Sequence, residues 1–355
     1  MRFSTLLVNA LAAALVSAHG NHDVKREQFM RRTLLEHTKK NLAHCSDKIR
    51  RNGLEARNVQ RRASHLAAIQ EKRGIEARGA DGTHLSTDNY TLSTAEETIF
   101  SSNNSCVLSP EVTEGPYYVS GEYIRSDIVE GQAGVPLHLE VQVLDVDTCE
   151  PVTNVYTEIW HCNSTGVYSG VSASGNGNSV TDTSNLNATF LRGLQETDSD
   201  GVVIFDTLFP GHYTGRTGHI HVMVHPNATA QANGTILDTT ASHVGQIFFD
   251  QDLITQVEAT ATYSVNTQEL TTNTEDGILQ QEADGSDPYI EYVLLGDSIE
   301  DGLLGWLAFG IDTSLSKEVS AAATLYETGG VSGTFSGGGG GGSGPFGGSG
   351  PFGNN

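Results

Sequence analysis

Positive charge is almost missing from the chain beyond residue 78. Only Arg125, Arg192, Arg216 and Lys317 are basic there, against 36 Asp and Glu, a formal −32. A body so acidic repels nucleic acid and anionic membrane surfaces, so neither is an expected partner. Long hydrophobic runs are missing as well. The stretch from Leu6 to Val16 falls short of the ~20 apolar residues that span a bilayer, and no later stretch does better. Cysteine is scarce, at four residues, but the number is even.

What is present points to export. Arg2, the apolar run and then Ser17 and Ala18 make a secretory signal peptide over residues 1–18. Six Asn-x-Ser/Thr sequons follow, at Asn89, Asn103, Asn163, Asn187, Asn227 and Asn233, and are expected to carry glycans on a secreted, extracellular protein. In that oxidising setting the four cysteines can form two disulfides in three ways. The expected pairs are Cys149–Cys162, at the ends of two neighbouring strands, and Cys45–Cys106, tying the N-terminal segment to the main domain.

Residues 19–78 form a basic segment: up to Arg78 the chain holds 16 Lys and Arg against 7 Asp and Glu. Phe29, Leu34, Leu35, Leu42, Ile49 and Leu54 recur at helical spacing. This reads as a helical arm on the core. Dibasic Lys25-Arg26, Arg61-Arg62 and Lys72-Arg73 keep a propeptide in view. Residues 79–104, rich in Ser, Thr, Asn and Asp, read as a linker. Residues 329–355 are mostly Gly and Ser and are expected to be a disordered tail.

Between them, residues 105–328 read as a mainly-β catalytic domain, an antiparallel β-sandwich. The segments beginning Leu137-His-Leu-Glu-Val, Val155-Tyr-Thr-Glu-Ile, Val202-Val-Ile-Phe, His219-Ile-His-Val and Gln246-Ile-Phe-Phe are short strands separated by Gly, Asn and Asp turns. No long helical pattern interrupts them.

The chemistry gathers in Pro210-Gly-His-Tyr-Thr-Gly-Arg-Thr-Gly-His-Ile-His-Val. Strand alternation points His219 and His221 to one side, ~7 Å apart along the strand, so both can reach one metal ion. Alone, such a pair is as often ordinary sandwich packing. His225 lies on the same face, so His221 with His225 stays open as an alternative pair. Tyr213 and Arg216 precede the strand, and Tyr168 follows a strand ending at Trp160.

Together these elements resemble the intradiol ring-cleavage dioxygenases: catechol, hydroxyquinol and protocatechuate dioxygenases and their secreted fungal relatives. The resemblance rests on Trp160, Gly166-Val-Tyr168, Asp200-Gly201, Pro210-Gly-His-Tyr213 and Arg216-Thr-Gly-His219-Ile-His221, in the family's order over roughly residues 106–250. It implies a non-haem Fe(3+) cofactor held by Tyr168, Tyr213, His219 and His221, a hard O/N set suited to ferric iron. Tyr168 and His219 would lie in plane, with Tyr213 and His221 axial. Tyr213 would leave the metal as substrate binds and accept a substrate proton. Arg216 would stabilise the electron-rich ring carbon that meets oxygen. Gln246 would stand near the substrate, and Pro116 and Tyr117 of the Gly-Pro-Tyr opening would line the pocket. The implied partners are a small aromatic diol and O2, and the implied product is a muconate-type acid. A zinc hydrolase built on His219 and His221, or a β-sandwich binding module without chemistry, are the competing readings.

The sequence also departs from the family pattern. Only six positions separate Tyr213 from His219, and a Gly/Ser/Asn-rich insert runs from Ser169 to Ser179. Arg192 is the one candidate to meet a substrate carboxylate, and the simpler expectation is an uncharged catechol or hydroxyquinol.

Overall fold

A computed structural model of the chain describes residues 41–75, 96–101, 105–107, 117–173, 175–177, 182–241, 243–284 and 286–333. The expected signal segment, Pro116, Asn89, Asn103 and the tail beyond residue 333 lie outside the described residues.

Two sheets pack face to face. One is antiparallel, in the order His243–Phe248, His219–His225, Tyr156–Trp160, Arg192–Glu196. The other is built on Leu303–Ile311, which has Pro136–Asp145 on one side, with Val202–Leu208 beyond it. Glu291–Leu294 and Ser105–Val107 share its other edge. Leu137, Leu139, Val141 and Val143 meet Ile159, Ile220, Val222, Val224 and Ile247 in the core between the sheets.

The sandwich is as expected, but its second sheet is mixed. Leu303–Ile311 runs parallel to both Pro136–Asp145 and Ser105–Val107. Its nine residues are all buried and almost wholly apolar. A strand covered on both faces has no alternation to reveal it, and parallel pairing suits such a buried position.

The basic arm lies on the outside of this sheet as the helices Ser46–Arg51 and Leu54–Arg73. Leu66 and Ile69 pack with Val293, Leu304 and Trp306. Arg61 and Arg62 both bind Glu140 at 2.9 Å, and Arg57 binds Asp200 at 2.9 Å. The Arg62 guanidinium lies 5.0 Å from the centre of the Trp306 ring. The uneven charge of the sequence thus has a structural outlet, with the arm acting as counterion to the acidic body. Arg61-Arg62 is spent on Glu140 rather than offered to a processing protease, whereas Lys72-Arg73 stays exposed.

Three boundaries and pairings differ from expectation. The segment read as a linker contains the helix Glu96–Ser101, because Ile99 and Phe100 have apolar surface to bury against Trp306. The domain extends past residue 328, since Gly329–Ser332 pairs with Ala323–Tyr326. The disulfide joins Cys45 to Cys149, with Cα atoms 5.3 Å apart, and neither expected pair forms. The arm folds back beside the turn after Asp145, which brings Cys45 to Cys149. Cys162 is free and buried elsewhere, donating to the Gly211 carbonyl at 3.3 Å. Cys106 sits in a strand paired with Phe309.

Candidate active site

Along His219–His225 the even residues enter the sandwich core and the odd ones face outward. The outward face is not exposed. It is roofed by the Tyr117–Val119 segment and by the turns that carry Tyr168 and Tyr213.

Both tyrosine turns depend on glycine. Gly166 adopts φ 79°, and a Cβ there would stand 2.2 Å from the His212 carbonyl oxygen. A Cβ on Gly211 would stand 2.3 Å from the Asn163 carbonyl oxygen. The Tyr168 turn and the Tyr213 turn therefore press on each other through their glycines, which sets the two phenols side by side. The Asn163 side chain accepts from the backbone N–H of Thr165 and Val167 at 3.1 Å each and shapes the first turn. The insert after it contributes Asn176, which accepts from the Tyr168 N–H at 2.8 Å and donates to the Tyr168 carbonyl at 2.9 Å.

Four donor atoms converge as a result. The Tyr168 and Tyr213 hydroxyls lie 3.5 and 3.4 Å from His219 Nε2, and His221 Nε2 lies 3.1 Å from it. All four side chains are buried. Ligands ~2.1 Å from one first-row ion stand about 3.0–3.4 Å apart at octahedral or tetrahedral angles. The residues fit a metal ion on spacing, and two phenols with two imidazoles fit a hard ferric ion on chemistry. Burial pushes both phenols up, well above the ordinary tyrosine range for Tyr168, so a nearby cation is what would favour phenolate there.

The neighbours fix the set. His219 Nδ1 donates to the Thr217 carbonyl at 2.6 Å, which leaves Nε2 as the lone-pair nitrogen. Trp160, opposite His221 in the sheet, stacks on its ring at 4.8 Å with planes 5° apart. Tyr117 packs on Tyr168 at 4.7 Å and edge-on to Tyr213 at 6.2 Å, and its hydroxyl is buried without a hydrogen-bond partner among the described residues. Arg216 donates through one Nη to the Gln246 side chain and through Nε to Asp276 at 2.8 Å. Gln246 is the cross-strand neighbour of His221. Burial opposes a charged Asp276, yet Arg216 and the N–H donors around it hold its carboxyl below the usual range.

The sequence motifs thus come together at one place: Tyr117, Tyr168, Tyr213, Arg216, His219, His221 and Gln246. Asp276 and Asn176 were not anticipated; both sit in polar loops whose composition gives no signal.

The other candidates are spent elsewhere. Arg192 is wholly buried and donates to the carbonyls of Tyr117 and Ser169, so it binds the roof to the Tyr168 turn. His225 bonds Glu158 at 2.9 Å and Asp238 at 3.2 Å, which takes it out of any pairing with His221. His161 meets Thr207 Oγ1 at 2.7 Å, and burial lowers it to about 4. His212 bonds Glu258 at 2.7 Å, and His243 accepts from the Asp312 N–H at 3.2 Å.

Residues 113–283 match the family model described as "Dioxygenase". The chain is 36% identical to an intradiol ring-cleavage dioxygenase from Tetranychus urticae, over 58% of this chain and 95% of that one, with a TM-score of 0.47. Hydroxyquinol 1,2-dioxygenase from Pseudomonas putida DLL-E4 is 18% identical, over 57% of this chain and 66% of that one, with a TM-score of 0.35. Catechol 1,2-dioxygenase from Acinetobacter sp. ADP1 is 19% identical, over 59% and 62%, also at 0.35. No relative matches among curated proteins. On 36% identity across 95% of the Tetranychus urticae enzyme, with the family-model match in agreement, the chain belongs to the intradiol ring-cleavage dioxygenases and is an enzyme of that kind.

Proposed function

We propose that the protein is a secreted, iron(III)-dependent intradiol dioxygenase that opens an uncharged catechol or hydroxyquinol between its two hydroxyl-bearing carbons. The observation that carries this reading is the convergence of Tyr168, Tyr213, His219 and His221 on one buried point. Iron(III), held there by Tyr168, Tyr213, His219 and His221, would supply a Lewis acid that acidifies the diol and activates its ring toward dioxygen.

The chain's own residues do the rest. Tyr213 Oη, starting as the phenolate that a bound cation would favour, would take up a proton from a substrate hydroxyl as the diol binds, and burial favours the neutral phenol that results. The Arg216 guanidinium, fixed by Gln246 and Asp276, stabilises negative charge that develops on the ring. Tyr117 and Trp160 wall the site with aromatic surface and keep water from it. Arg192 donates through Nε and one Nη to the backbone carbonyls of Ser169 and Tyr117, a structural engagement that supports an uncharged diol.

Secretion is supported by residues 1–18 and by the Cys45–Cys149 disulfide, a bond at home in an oxidising compartment. Asn187, Asn227 and Asn233 are exposed and suit glycan attachment. Asn163 suits it poorly, being half-buried with Nδ2 donated to Gln132 at 3.2 Å.

The test is metal analysis with visible spectroscopy of the purified full-length chain. About one iron per chain and a visible phenolate-to-iron band are expected. Colourless protein that stays iron-free after reconstitution with iron(III), or that holds zinc instead, would overturn the reading.

A further inference from the structure

Asp276 stands at the start of the Gly277–Glu282 helix, and its two oxygens face different ways. Oδ1 caps the helix, accepting from the N–H groups of Ile278 at 2.9 Å and Leu279 at 3.1 Å. Oδ2 turns back to the site and accepts from Arg216 Nε at 2.8 Å and from the Thr217 N–H at 3.0 Å. Both Asp276 and Arg216 are 1% exposed, so neither is tempered by water.

The next link is Thr217. Its carbonyl accepts from His219 Nδ1 at 2.6 Å, and its hydroxyl donates to Asn273 Oδ1 at 2.7 Å. Asn273 is itself anchored, donating through Nδ2 to the Phe249 carbonyl at 2.8 Å. The Thr217 peptide is therefore gripped at its N–H by Asp276 and at its side chain by Asn273, and its one free acceptor orients the imidazole. On the other side Arg216 reaches Gln246, the strand neighbour of His221.

We infer that Asp276 is a positioning residue that couples Arg216 to His219, so that the cation beside the substrate and one imidazole of the metal set are held as a unit. The inference rests on the site reading given above.

A carboxylate is needed for a simple reason. The cap consumes one acceptor oxygen and the pair Arg216/Thr217 consumes the other. Asparagine has a single acceptor, and its NH2 group would point at two N–H donors or at the helix cap. Asp276→Asn must therefore release either the cap or the site.

Two measurements on the full-length chain test this. The first is the ring N–H resonance of His219 Nδ1 in the iron-free protein, assigned by its loss in His219→Gln. Strong donation to Thr217 gives a low-field, slowly exchanging signal in the parent, and Asp276→Asn should shift or broaden it. The second is a double-mutant cycle with Arg216→Gln, read with catechol on the iron-loaded enzyme. Asp276→Asn should lower kcat by about ten-fold or more with a smaller change in KM, and should add little once Arg216 is gone. Glu275→Gln, at an exposed neighbour, should change neither readout. If Asp276→Asn does not fold, Asp276→Glu, which keeps both acceptors on a longer arm, should shift the same resonance. An unmoved His219 resonance in the folded variant, or fully multiplicative losses in the cycle, would overturn the coupling. The resonance is read without iron, so a parent protein that binds no iron and cleaves no catechol defeats the proposed function and leaves this link still measurable.

Discussion

Trp160 and His221 stack face to face, with ring centroids 4.8 Å apart and planes 5° from parallel, across one rung of the antiparallel sheet. The indole is wholly buried and forms the floor that sets the imidazole plane. Trp160→Ala should cost about 3–5 kcal/mol of stability through the cavity it leaves. It should also free His221 to rotate and weaken iron binding. Denaturant unfolding and iron content per chain, measured together, check this; stability lost with iron affinity unchanged would remove Trp160 from the site.

The two tyrosines should not be equivalent. Tyr168 is braced at both its N–H and its carbonyl by Asn176, whereas the Tyr213 carbonyl accepts from the Arg216 N–H at 3.1 Å within its own turn. Tyr213→Phe is expected to keep some iron and slow turnover, because that phenol takes the substrate proton. Tyr168→Phe is expected to cost more iron affinity. Equal iron content and unchanged turnover in both variants would exclude the phenols from the chemistry.

His225 gives the fold a pH signature away from the site. Burial opposes its charge, but Asp238 and Glu158 more than offset this and raise it to about 9. A raised pKa means the stabilisation is fully present below the unfolded value of ~6.5 and is lost as pH rises through about 9. Stability should therefore fall between those limits, and His225→Gln should flatten that part of the curve. A variant whose stability still drops over the same range would assign the effect to another group.

How much of this could be read from the residues alone follows from how local each signal is. The His219/His221 pair needs only strand alternation, and the tyrosine turns announce themselves through glycine and proline. The partners that fix the site are different in kind. Asp276 lies 60 positions from Arg216 in a polar loop, and only the fold brings the two within 2.8 Å. Arg192 was conspicuous because basic residues are rare, yet that scarcity does not distinguish a substrate contact from an internal clamp. The Cys45–Cys149 bond depended on knowing that the arm folds back, which no spacing within the arm reveals. The Leu303–Ile311 strand, central to the mixed sheet, was hidden by lacking a polar face.

Arg192 in its clamp also bears on substrate choice. Catalytic efficiency for catechol should exceed that for protocatechuate, whose carboxylate meets an acidic field in which Arg192 is already bonded to backbone carbonyls. Raising the salt concentration should narrow the gap by screening that field. A preference for protocatechuate at low salt would show that another group receives the carboxylate.

The position of ring opening is read directly by labelled oxygen. The iron-loaded enzyme is given catechol under 18O2, and the ring-opened product is weighed by mass spectrometry. A muconate-type diacid carrying both atoms of one O2 molecule is expected. A semialdehyde from cleavage beside the diol, or a product whose new oxygen comes from water, would contradict it.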